Sequence, residues 1–282
     1  MGDALVLTGG HRVDYDALFA MMSAVCDPID WRWAHAHQPS AQSWLGRDAV
    51  GRWNAVLCHD IPGLRLKRGS APEPTAVSPA IRQSLREMLS AGLGFVMTHH
   101  SLAGWPAWDG WAEVLGGRFH YAPGRLRGID WPSSGTRTTR YTARIADPMH
   151  PVCAGLDDFE LTDELYCCPV FEEDVVPLIR TDADMSGRLF TSTYEHVVFG
   201  EEAAPDCGLH PPASNMIVWA TAIERSPVIY IQPGDSAATF GNEQYRRLVA
   251  NALTWVSSHD AHAWAAALGR RLTVNDDQTP SA

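Results

Sequence analysis

Four of the twelve histidines stand directly behind short apolar runs, which is where a parallel sheet delivers its side chains to a ligand. Leu5-Val6-Leu7 breaks at Thr8-Gly9-Gly10-His11, Trp53 to Cys58 at His59-Asp60, and Leu93 to Met97 at Thr98-His99-His100. A fourth run, Val228 to Ile231, breaks at Gln232-Pro233-Gly234-Asp235. Imidazole titrates near neutrality and is a common metal ligand, so these positions suit proton transfer or ion binding. His99 and His100 are the sharpest pair and are expected to be catalytic. Neighbouring strand residues point to opposite faces, so the two rings share a role only if the strand has already ended. Gly10, His11, His59, Asp60 and Asp235 are expected to bind substrate in the same crevice.

A carboxylate pair adds to this set. In Phe159 to Tyr166 a period of two puts Phe159, Leu161, Asp163 and Leu165 on one face, and Glu160, Thr162, Glu164 and Tyr166 on the other. Asp163 therefore falls on an apolar face, where a carboxylate is paired, ligates a metal or holds a raised pKa. Asp163 and Glu164 are the candidate acids. Trp105 and Trp108, just after the histidine pair, offer indole platforms for a sugar ring, while Trp111 stands at helical spacing for the core. His210 is a further binding candidate. An ion, zinc or manganese, would draw on His100, a carboxylate and His150 or His210, because no H-x-x-x-H or Cys/His zinc spacing occurs. The G-x-G-x-x-G, P-loop and G-x-S-x-G patterns are also missing, so no nucleotide cofactor and no serine elbow are expected.

The elements that must position these groups alternate. Leu5–Leu7 reads as a buried strand, Asp14 caps a helix bearing Leu18, Met21, Met22 and Val25, and Trp53 to Cys58 is a second strand. After a long loop, Ile61 to Val77, whose basic cluster and composition suit a lid, a disordered spacer or a subunit contact alike, Ser78-Pro79 starts a helix that Gly92 ends. Near-continuous apolar strands between helices indicate an α/β protein with a flavodoxin-like, doubly wound parallel sheet. The stretch 118–214 loses helical period and reads as a strand- and loop-rich excursion. The sheet returns at Val228, and Asn242 opens a final long helix. One α/β domain over 1–257, a helical extension over 258–274 and a disordered tail over 275–282 follow.

Composition narrows the partners. The 282 residues carry 22 basic and 33 acidic side chains, a net charge of −11 that disfavours nucleic acid. No apolar run reaches membrane-spanning length, and the N-terminus has no cleavable apolar stretch, so a cytoplasmic protein is expected. Six cysteines without a C-x-x-C pair read as reduced, mostly buried thiols. A homo-oligomer is compatible with the many tryptophans.

Several stretches together resemble the ThuA-like (trehalose utilisation) family: Gly94 to Trp108, Leu115-Gly116-Gly117-Arg118-Phe119, Asp147 to Val152, Thr162 to Tyr166, and Ser226 to Tyr230 leading to Gly234-Asp235. The resemblance implies a fold related to class I glutamine amidotransferases, without the amidotransferase cysteine and so without glutaminase activity. It implies a bacterial sugar-catabolic role, acting on a disaccharide or a 3-keto-glycoside. Many members carry Gly-His where this chain has Gly234-Asp235. The leading expectation is histidine/carboxylate acid–base chemistry giving elimination, hydrolysis or isomerisation. A metal-dependent hydrolase and a non-catalytic sugar-binding or regulatory module are the alternatives.

Overall fold

Strands and helices alternate because the sequence starts and stops each helix explicitly. β1 (Gly2–Gly9) leads to α1 (Tyr15–Cys26), where the Asp14 carboxylate accepts from the Ala17 amide. β2 (Trp31–His37), β3 (Ala55–Asp60) and a ribbon of β4 (Leu64–Arg65) with β5 (Glu73–Pro74) follow. Ser78 caps α2 (Pro79–Ala91), and Gly92 ends it in the left-handed conformation. Next come β6 (Gly94–Thr98), α3 (Asp109–Leu115) and a ribbon of β7 (Gly124–Leu126) with β8 (Ile129–Trp131). β9 (Gly135–Ile145), β10 (Phe159–Cys167), β11 (Val176–Thr181) and β12 (Thr191–Ser192) precede α4 (Thr193–Phe199). β13 (Met216–Ile223) and β14 (Ser226–Ile231) return to the sheet, and α5 (Ala237–Gly241), α6 (Glu243–Val256) and α7 (His259–Leu268) close the fold. This computed structural model describes residues 1–200 and 207–272; the tail expected at 275–282 lies outside the described residues.

One sheet of ten strands has the order β10-β9-β11-β13-β14-β6-β3-β1-β2, with β12 beside β9. The five strands from β14 to β2 are parallel, and β9, β10, β11 and β13 join antiparallel. The excursion thus extends the main sheet. Two apolar layers cover its faces. Ala4, Val6, Leu57, Val96 and Ile229 pack with α1 and α6, whereas Leu5, Leu7, Val56, Phe95 and Tyr230 pack with α2 and α3. Each large apolar side chain so buried contributes about 1.5–3 kcal/mol. The six cysteines are buried and form no disulfide. Among the described residues no helix is long and apolar enough to cross a membrane.

β2 and β13 are among the strands that were not anticipated. β2 is the edge strand, and its alternating WRWAHAH sequence leaves most of it partly exposed. β13 is fully buried and apolar. Two strand ends also shift. β3 runs through His59 and Asp60, which therefore face opposite ways, whereas β6 stops at Thr98, which frees His99 and His100 from strand alternation.

Candidate functional site

The crevice is assembled from five chain segments. Gly9 and Gly10 turn the chain out of β1 at φ +113° and +83°. A Cβ on Gly10 would lie 2.2 Å from the Ile61 carbonyl oxygen, so only glycine lets this turn rest on the chain leaving β3. His11 follows, its Nδ1 donating to the Arg12 carbonyl at 3.1 Å. At the end of β3, His59 Nδ1 donates to Thr98 Oγ1 at 2.8 Å, and that hydroxyl donates onward to the Cys58 carbonyl.

His99 is the pivot. It leaves β6 at φ +40°, a conformation that a β-carbon disfavours. Its surroundings fix it there: Nδ1 donates to the Gln232 carbonyl at 2.6 Å, Nε2 lies 2.7 Å from the Tyr166 hydroxyl, and Tyr230 donates to its carbonyl at 3.0 Å. Glu164 Oε2 and Asp235 Oδ1 stand 3.4 and 3.6 Å from the same Nε2. His100 Nε2 is 3.8 Å from Asp235 Oδ1. Ring centroids are 4.1 Å apart for His11 and His100, 4.5 Å for His99 and His100, and 5.0 Å for His59 and His100.

Asp163 anchors this constellation from below. Buried at 1% exposure, it accepts from the amides of Gly234 (2.7 Å), Asp235 (3.2 Å) and Glu164 (2.9 Å). It thereby fixes the two other carboxylates and is a positioning residue.

The electrostatics follow from burial and proximity. Burial resists charge on His99, but the Asp235 and Glu164 carboxylates outweigh it and push the imidazole up to about 10. That contact holds Asp235 below the usual carboxylate range despite its burial. Burial, then the charge on His99, pushes His59 down to about 3 and His100 well below its ordinary value. Burial raises Asp163 against the pull of His99 and the amides. A proton is thus favoured on His99 and disfavoured on His59 and His100.

A cavity of about 600 Å³ opens over these groups, lined by His11, His100, Glu164, Tyr166 and Asp235. Leu66 of the 61–77 loop, Tyr121, Arg137 and Thr138 of β9, and His196 of α4 also line it. Such a volume suits a small ligand. His59 and His99 lie behind this lining, and Gly10 shapes it through its turn.

Five expected residues lie elsewhere. Asp60 faces away from His59 and accepts from Gln38 Nε2 at 2.8 Å; burial pushes its carboxyl up to about 6. The Trp105 amide donates to the Pro62 carbonyl, and its indole is buried against Gly63. Trp108 is buried beside Trp111. His150 accepts from the Val152 amide and packs on Trp255, and His210 donates to the Pro211 carbonyl beside Trp131. The ion-binding set expected from His100 with His150 or His210 therefore does not assemble. Among the described residues the groups within mutual reach are His99, His100 and Asp235, whose ligand atoms lie within 4.8 Å of one another.

Tyr166, Gln232, Arg137 and His196 were not singled out in sequence. Tyr166 carried a signal, since it shares the Glu164 face of β10; the other three are brought in by pairings between distant segments.

A family model described as trehalose utilisation, ThuA, matches residues 67–256, more than half of the chain. The chain belongs to the ThuA family. Membership implies a role related to sugar metabolism. Among solved structures, this ThuA chain is similar to a ThuA-like protein from Parabacteroides merdae, with 12% identity and a TM-score of 0.63 over 91% of this chain and 90% of that one. A ThuA-like protein from Bacteroides uniformis gives 15% identity and a TM-score of 0.57 over 90% and 91%. A glutamine amidotransferase from Thermotoga maritima aligns over 90% and 98%, with 8% identity and a TM-score of 0.45. The two ThuA-like structures share the fold at these identities. A comparison with curated proteins gives no match.

Proposed function

We propose that this ThuA protein is an enzyme of sugar catabolism that takes a disaccharide or keto-glycoside into the cavity and works on it by acid–base chemistry. The observation that carries this reading is the meeting of Glu164, Asp235, His11 and His100 in one cavity at the carboxyl ends of the parallel strands. Arg137, Thr138 and Tyr121 supply donors and acceptors for sugar hydroxyls. Glu164, held beside His99 and partly exposed to the cavity, is the general base. A ketone on the ring acidifies the adjacent C–H. Glu164 takes that proton, the electron pair forms a C=C bond, and the glycosidic C–O bond breaks at the next carbon. His11, with Nδ1 tied to Arg12 and its ring lining the cavity, protonates the departing oxygen.

The test is turnover of a panel of α-linked disaccharides and their 3-keto derivatives, followed by mass spectrometry of products. Glu164→Gln should lower turnover by about 10²–10⁴-fold with KM nearly unchanged. Turnover of none of the panel, or full activity in that variant, would overturn the reading.

A further inference from the structure

We propose that His99, His100 and Asp235 hold one divalent transition-metal ion of the zinc class beside the cavity, an inference that rests on this cavity being the reaction site. The donor set is two imidazole nitrogens and one carboxylate oxygen, all within 4.8 Å of one another. His99 Nε2 and His100 Nε2 stand 3.6 and 3.8 Å from Asp235 Oδ1. Around a tetrahedral ion with bonds of about 2.0–2.2 Å the ligand atoms lie about 3.3–3.6 Å apart, so small side-chain movements bring these three into range.

The hydrogen bonds behind the donors point the same way. A ligating histidine donates its other ring N–H to a fixed oxygen, which sets the tautomer and aims the ring. His99 does so to the Gln232 carbonyl, and an ion at its Nε2 would replace the proton that Glu164 and Asp235 favour there and displace the Tyr166 hydroxyl. Gln232 is itself pinned, its amide donating to Ile217 and its side-chain oxygen accepting from the Tyr166 amide. Asp235 is held through its amide on Asp163. Neighbouring His59 and His11 likewise have Nδ1 committed to oxygens.

His100 supplies the second, independent sign. Its ring is buried, its Nδ1 has no hydrogen-bond partner, and its Nε2 is too far from Asp235 for a hydrogen bond. His100 thus lacks the oxygen that His99 has behind Nδ1, and its Nε2 has only the 3.8 Å approach to Asp235, a gap that an ion between the two would bridge. An ion there would polarise a keto or hydroxyl oxygen of the sugar, next to the Glu164 carboxylate.

Cobalt(II) is the probe. Tag-free full-length chain, stripped with a chelator and dialysed, is titrated with Co²⁺ while visible d–d absorption is recorded, and Zn²⁺ is then added in competition. The expected result is saturation at one equivalent and displacement by Zn²⁺. Asp235→Asn and His100→Gln should weaken binding by about 100-fold or more, while His259→Ala, at an exposed helix start, leaves it unchanged. No saturable band with the wild-type chain, or the same band in folded Asp235→Asn and His100→Gln, overturns the ion. Sugar binding by a chain that takes no Co²⁺ would remove the ion and leave the proposed function standing. Co²⁺ binding by a chain that binds no sugar would support the ion and remove the function.

Discussion

Replacing Asp163 by Asn tests how the candidate site is held together. The carboxylate accepts from three amides, with Oδ2 on Gly234 and Oδ1 on Asp235 and Glu164. An asparagine keeps one acceptor oxygen and turns an NH₂ group towards the remaining amide or amides, so at least one charge-assisted bond is lost and a donor faces a donor. Together these cost about 3 kcal/mol. Relief of burying a charge offsets part of that and leaves about 2 kcal/mol. For a chain of 282 residues, an unfolding entropy of about 2.1 cal/mol/K per residue converts this to a fall in Tm of about 3–4 °C. Calorimetry at pH 7 on Asp163→Asn, beside the exposed control Asp157→Asn, measures it. Asp235 loses its anchor in the same variant, so sugar affinity should fall by about tenfold, a coupling of about 1.4 kcal/mol. A melting temperature within 1 °C of the control, with unchanged sugar affinity, would refute the anchoring role.

Other outcomes follow from the same contacts. Burial, opposed by Gln38, holds the folded Asp60 carboxyl up to about 6 against an ordinary value of 3.8. The folded state therefore binds this proton more tightly, and stability present below pH 4 is lost as pH rises through 6, by roughly 3 kcal/mol in all. Denaturant titrations of wild type and Asp60→Asn should diverge across that window; parallel curves would show that Asp60 titrates normally. Gly10→Ala places a β-carbon against the Ile61 carbonyl at φ +83°, and should cost about 3 kcal/mol or more by equilibrium unfolding. Trp105→Phe should lower stability by about 1–2 kcal/mol and leave KM within about twofold, since the indole is core and not ligand platform. A large change in KM would restore it to the site.

The parallel half of the fold was legible because its strands are uninterrupted apolar runs and its helices carry explicit caps. Asp14, Ser78 and Gly92 act where their residue types predict. β2 escaped notice because an edge strand alternates Trp with Arg, Ala and His and has no continuous apolar run. The site divided along a similar line. His11, His59, His99, His100 and Asp235 could be read from strand ends, and Asp163 from a period of two that left a carboxylate on an apolar face. Asp60 was misassigned because β3 runs two residues further than its apolar run. Trp105, Trp108, His150 and His210 were judged by residue type; the partners Gly63, Trp255 and Trp131 could not be seen in local sequence, whereas Trp111, three residues from Trp108 and read as core, already pointed to burial of Trp108. Arg137 and His196 reach the cavity only through the way β9 and α4 pack, which no local spacing encodes.

Diffraction from crystals soaked with trehalose and with its 3-keto derivative tests the central claim most directly. The account predicts sugar-ring density in the 600 Å³ cavity, in hydrogen-bond contact with Glu164, Asp235 and Arg137. Density only at another surface, or an empty cavity at saturating concentrations of both sugars, would contradict it.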